Sequence, residues 1–142
     1  MTARLSIVDT GILVAAALPA EPEHRRAAGV LRAALGPRLV PAPVIVETLF
    51  LIQRAQGSRV AAQWLRRFLA ARPAMAVVDP DARDLERAAE LLDEYADARL
   101  DFADSVIVAI AERLGVTQVL TLDRRHFALI QPRHCVAFEI LP

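Results

Sequence analysis

The chain has 142 residues with 17 basic and 17 acidic side chains, so no global field draws an anionic partner to it. Just over half of the residues are apolar, which excludes a disordered chain, and the length suits one domain spanning residues 1–142. Every basic residue is an arginine and the single thiol is Cys135, which excludes lysine chemistry, an internal disulfide and a cysteine-held zinc.

Leu5 to Val8 is a short apolar run ending at Asp9, Thr10 and Gly11, the pattern of a central parallel strand covered on both faces. Ile12 to Leu18 reads as a short helix stopped near Pro19, and Glu21 to Leu35 as a second helix with acids at its start, closed by Gly36 and Pro37. Arg38 to Val40 is a second strand. Pro41 and Pro43 then stand where a helix begins, and VIVETLFLIQRAQ continues it to a break at Gly57 and Ser58, with Ser58 a candidate N-cap. Val60 to Ala71 is a further helix carrying Trp64, Leu65, Phe68 and Leu69. Met75 to Val78 follows as a third strand. Asp81 to about Ala98 is amphipathic, with Leu85, Ala88, Ala89, Leu92 and Tyr95 on one face.

The next unit runs from Leu100 to Phe127. Asp101 and Asp104 precede SVIVAIAERLG, a helix apolar almost all round that ends at Gly115, and VTQVLTLD is a strand ending on Asp123. Arg124 to Ile130 is a helical turn, and Cys135 to Ile140 a last strand at an edge. Strands alternating with helices indicate an α/β domain with a mostly parallel sheet. ILVAAALPA has the small residues of a secretory leader, but only Arg4 precedes it and Asp9 interrupts the apolar run, so no signal peptide is expected. No stretch approaches the roughly 18 uninterrupted apolar residues of a membrane span, so a cytoplasmic protein without membrane contact is expected.

In open parallel sheets, sites form beyond the carboxyl ends of the strands, where Asp9 and Asp123 fall. Asp101 and Asp104 share one side of a helix start. Glu47 lies among Val44, Ile45, Val46, Leu49, Phe50, Leu51 and Ile52, which leave it no polar helix face. Carboxylates gathered in apolar surroundings repel one another, and a divalent cation relieves the repulsion. Oxygen ligands without His or Cys indicate Mg²⁺ or Mn²⁺, and such a pocket suits phosphodiester hydrolysis. Each residue also has an ordinary structural use: Asp101 as an N-cap, Asp104 as the third residue of its helix, Asp9 and Asp123 as loop residues, Glu47 as a paired core acid and Thr121 as a strand residue. Asp79, Asp81, Asp84, Glu90 and Asp93 read as turn or exposed helix charges. His126 and His134 stand too isolated to be read as metal ligands. Arg124 and Arg125, next to Asp123, are candidates to hold a phosphate backbone or simply a solvated pair.

VDTGIL at 8–13, VIVETLFLI at 44–52, DFADSVIVAIAERLG at 101–115 and TLDRRHF at 121–127 together resemble the PIN domain, and among PIN domains the VapC-type toxins of bacterial toxin–antitoxin pairs. The resemblance covers essentially the whole chain. It implies a three-layer fold with a central parallel sheet of order 3-2-1-4-5 flanked by helices, and a Mg²⁺- or Mn²⁺-dependent endoribonuclease. The family's four acids fall on Asp9, Glu47, Asp104 and Asp123, and its hydroxyl residue on Thr121. Asp101 occupies a variable place, as an outer-sphere or second-metal ligand. The resemblance also implies an RNA substrate, a homodimer, and a small antitoxin partner, with the helices around Glu47–Gln56 and Trp64–Leu69 offering apolar surface for both protein contacts. Two other readings compete. A phosphoacceptor domain relies on a lysine this chain lacks. A PIN-like module that binds RNA or protein without cutting, or a PIN nuclease acting on DNA or structured RNA, stays open.

Overall fold

A computed structural model describes residues 4–142. Five short strands form one parallel sheet: β1 (Ser6–Val8), β2 (Arg38–Pro41), β3 (Met75–Val78), β4 (Gln118–Leu120) and β5 (Glu139–Leu141), in the order β3-β2-β1-β4-β5. The register sets Ile7 opposite Leu39 on one side and Val119 on the other, so β1 is central and buried on both faces. A strand covered on both faces shows no alternation, which is why Ile7 and Val8 are both apolar and even Ser6 is buried.

Among the described residues seven α-helices flank the sheet: α1 (Thr10–Ala17), α2 (His24–Ala33), α3 (Ala42–Gln56), α4 (Ser58–Ala70), α5 (Ala82–Glu94), α6 (Phe102–Leu114) and α7 (Arg124–Leu129). Every residue of α6 from Ala103 to Ala111 is buried, consistent with a sequence apolar on all sides. Gly115 ends the helix in the left-handed region at φ 70°, where a side chain would be strained, and the Val116 N–H returns to the Ala111 carbonyl at 2.9 Å. The main core is continuous from Ile7, Val8 and Ile12 through Val40 and Val44 to Val106, Ile107, Ile110, Val119, Leu120 and Phe127.

Several element boundaries differ from the sequence expectation, each for a local reason. Glu21 and Glu23 lie ahead of α2, whose N-cap residue Glu23 makes no side-chain capping hydrogen bond. Ser58 is not the cap of α4 but its first residue; Gly57, at φ 89°, makes the break, and Gln53 Nε2 donates to the Ser58 hydroxyl at 2.8 Å. The 81–98 helix stops at Tyr95 and resumes as a 3₁₀ turn, Ala96–Ala98, which ends at Arg99 in the left-handed conformation. Its buried stripe is Asp84, Ala88 and Leu91, whereas Leu85 and Ala89 face solvent. Asp84 is therefore no surface charge. Its carboxylate caps α5 in a reciprocal box with Asp81 and accepts two hydrogen bonds from Arg113 Nε at 3.0 Å, pinning α5 to α6. The last strand begins at Glu139, with residues 131–138 running as loop, and α7 ends at Leu129.

Candidate active site

The strands deliver the site because parallel order sends their C-terminal ends to one edge. Asp9 follows β1 directly, with its N–H bonded to the Leu120 carbonyl of β4 at 2.9 Å, and its carboxylate caps α1 through the Thr10 N–H at 2.8 Å. The other Asp9 oxygen accepts from the Thr121 hydroxyl at 2.8 Å. Thr121, completely buried, also takes the Asp123 N–H on the same oxygen at 2.9 Å. One hydroxyl thus fixes the distance between the acid after β1 and the acid after β4, a role beyond that of a strand residue. Asp123 lies three residues past the end of β4 and caps α7.

Two helix starts supply the remaining carboxylates. Glu47 sits in the second turn of α3, half-buried, and accepts from the Thr10 hydroxyl at 3.5 Å. Asp101 caps α6 by accepting the Asp104 N–H at 2.8 Å, and Asp104 reaches back toward the Asp101 N–H at 3.5 Å. Capping and site membership coincide here, since Asp9, Glu47, Asp101, Asp104 and Asp123 all line a single cleft of about 380 Å³.

The surroundings of Glu47 correct the sequence reading. Val46 and Phe50, beside it on α3, are 68% and 59% exposed, so the helix has an apolar face turned outward rather than a wholly buried circumference. Arg124 is also reassigned: its guanidinium bonds the carbonyls of Ile140 and Pro142, tying α7 to the end of β5 rather than facing the cleft. Sequence reasoning missed His126, which lines the same cleft with Nδ1 at 2.8 Å from Asp123 and 3.4 Å from Asp104, at angles unsuited to a hydrogen bond. Its position three residues after a capping acid, on the same side of a helix, was the available signal. Glu21 and Glu23 form a further acidic edge of the cleft that the sequence did not indicate.

Among the described residues no arginine pairs with any of these five carboxylates. Burial, then the charges of Asp101 and Asp9, push the Asp104 carboxyl up to about 8. Burial likewise raises Asp9, with hydrogen bonds from Thr121 and Thr10 pulling the other way and the charges of Asp101 and Asp123 adding to the rise. Glu47 is raised by burial, then by Asp101 and Asp9. These oxygens, crowded and lacking counter-charge, are hard donors that suit a divalent cation. Among the described residues no three His, Cys, Asp or Glu side chains stand as a ready ligand group.

The model of the PIN domain family matches residues 6–131 of this chain. Ribonuclease VapC26 of Mycobacterium tuberculosis is 30% identical over 136 residues, covering 96% of this chain and 99% of the relative. Among solved structures, M. tuberculosis VapC20, described as a sarcin-ricin loop cleaving toxin, superposes with a TM-score of 0.77 at 22% identity, covering 84% of this chain and 91% of that one. VapBC2 from Rickettsia felis, bound to a DNA fragment from its promoter, superposes with a TM-score of 0.70 at 15% identity over 97% of this chain and 99% of the other.

Proposed function

This chain belongs to the PIN-domain family, and from that premise we propose that it is an endoribonuclease acting through the Asp9, Glu47, Asp104 and Asp123 carboxylates with Mg²⁺ or Mn²⁺, the toxin of a toxin–antitoxin pair. The observation that carries the proposal is the convergence of four separate chain segments on one cleft of carboxylates without an arginine among them. The relative at 30% identity is a ribonuclease, and the structural neighbours include toxin–antitoxin complexes from Klebsiella pneumoniae and Rickettsia felis.

Asp9, Asp104 and Asp123 are the residues placed to hold the ion, Glu47 closes the pocket from α3, and Asp101 orders the start of α6 and adds charge at the outer edge. When bound, the ion supplies neutralisation of the phosphate charge and a water of lowered pKa. Thr121 holds Asp9 and Asp123 in fixed relation, so their oxygens need not reorganise as charge develops. His126 stands beside Asp104 and Asp123 at the edge of the pocket. A homodimer and a small antitoxin complete the proposed assembly.

Purified Asp9→Asn and Asp104→Asn proteins, incubated with total RNA and Mn²⁺, are expected to lose cleavage by about a hundredfold or more. Cleavage persisting at the wild-type rate rejects the scheme. The competing reading is a module that binds RNA or protein without cutting. Mn²⁺ raising the unfolding midpoint of the wild-type protein but not of Asp104→Asn decides against that alternative.

A further inference from the structure

Two clefts adjoin the carboxylate pocket, and their walls differ in chemistry. On the Glu47 and Asp101 side lies a cleft of about 650 Å³ lined by apolar groups such as Pro43, Val46 and Phe102, with no cation on its wall. On the other side, a cleft of about 890 Å³ carries Arg99 and Arg125 together with the acids Asp97 and Asp123. Asp123 and His126 line both this arginine-bearing cleft and the carboxylate pocket, so the two are continuous.

Both arginines are exposed, and among the described residues neither makes an ion pair. Other arginines, Arg54, Arg59 and Arg66 among them, are equally without an ion pair; Arg99 and Arg125 differ in lining a cleft continuous with the carboxylate pocket. Arg99 is also the single non-glycine residue with positive φ among the described residues, at φ 58° and ψ 37°. Glycine suits that conformation better, so an arginine there is retained against backbone preference.

A nucleic-acid strand carries a charge at every phosphate, and a cation in the pocket offsets only the one being hydrolysed. The next phosphate meets a wall of carboxylates unless separate cations receive it. Guanidinium groups, planar and rich in donors, suit that task. We infer that Arg99 and Arg125 hold the RNA phosphate adjacent to the scissile one, so that the strand passes the carboxylate pocket on its Asp123 and His126 side. This rests on the ribonuclease reading given above. An acidic segment of a protein partner is the competing occupant; the shared wall with Asp123 favours the substrate.

Arg99→Gly and Arg125→Ala test the inference, each placed in the Asp104→Asn protein so that bound RNA stays intact. The probe is a fluorescent, mixed-sequence single-stranded RNA of about twenty nucleotides, titrated by anisotropy over a range of salt concentrations. Each change is expected to weaken binding roughly fivefold and to lower the slope of log affinity against log salt by about 0.7. Arg99→Gly is expected to unfold no earlier than its parent, because glycine relieves the left-handed backbone, so weaker binding cannot be ascribed to a damaged fold. Affinity and salt slope unchanged in both variants overturn the inference. If the arginine variants instead bind RNA normally but lose affinity for a fluorescent oligoglutamate peptide, the cleft belongs to an acidic protein partner and the inference also fails. Failure of the ribonuclease reading is seen separately, as a wild-type protein with both arginines in place that leaves total RNA uncut.

Discussion

Thr121 is the residue whose removal isolates geometry from charge. Its hydroxyl donates to Asp9 and accepts from the Asp123 backbone, fully out of solvent. Thr121→Val keeps the shape and leaves a buried carboxylate oxygen short of a donor, at a cost of about 1–2 kcal/mol. Equilibrium denaturation checks that value, and Thr121→Ser is expected to restore both stability and RNA cleavage. Asp104 gives a prediction of opposite sign. Between the usual 3.8 and about 8, the folded chain keeps a proton there that the unfolded chain releases, so this group's contribution to stability falls as pH rises through that window. A divalent cation has to displace that proton. The Mn²⁺-induced rise in unfolding midpoint is therefore expected to be larger at pH 8 than at pH 6, and Asp104→Asn is expected to raise the metal-free midpoint at pH 8. Equal Mn²⁺ responses at the two pH values count against a cation on Asp104.

At the scale of elements, the site is held by the way α6 is seated. Its apolar circumference buries it against β1, β2, α3 and α5, and Gly115 turns the chain into β4. The Asp101–Asp104 capping box then points its carboxylates at the strand ends. Arg113, on the last turn of α6, is the polar clasp to α5 through the buried Asp84 and the exposed Asp81. Arg113→Ala leaves Asp84 buried without its cation and is expected to destabilise the fold by about 2 kcal/mol, measured by urea denaturation. RNA cleavage per folded molecule is expected to stay at the wild-type level, since the clasp lies at the opposite end of α6 from the carboxylates.

Across the whole molecule, the two sides of the carboxylate cleft divide between phosphate and protein chemistry. The outward face of α3, with Val46 and Phe50, and the half-exposed Phe102 at the start of α6, form apolar surface beside Glu47. A second copy of the chain is the proposed partner for it. Phe50→Glu is expected to convert a dimer to a monomer in analytical ultracentrifugation while leaving the unfolding midpoint within a few degrees, because Phe50 contributes little to the monomer core. The helix around Trp64–Leu69 behaves differently: Phe68 is buried and stacks on Trp64 at 5.3 Å between ring centroids, so most of that face is core rather than free surface. No helix among the described residues is long and apolar enough to cross a membrane.

Much of this protein could be read from the order of its residues alone. Runs such as Ile7–Val8 and Val106–Ile110 have no polar side to offer solvent, so burial follows from composition, and the acids at their ends then have to lie at the sheet edge. The strand order 3-2-1-4-5 came from the family likeness in four motifs, and the folded chain has that order. Packing decided the rest. Nothing in the local pattern separates Phe50, left in solvent, from Phe68, buried, or an exposed Asp81 from Asp84 three residues later, because both outcomes depend on which neighbour arrives from a distant segment. His126 is the plainest case: alone in the chain it is one more histidine, and it gains its place beside Asp104 only when the turn after β4 brings the start of α7 near the start of α6.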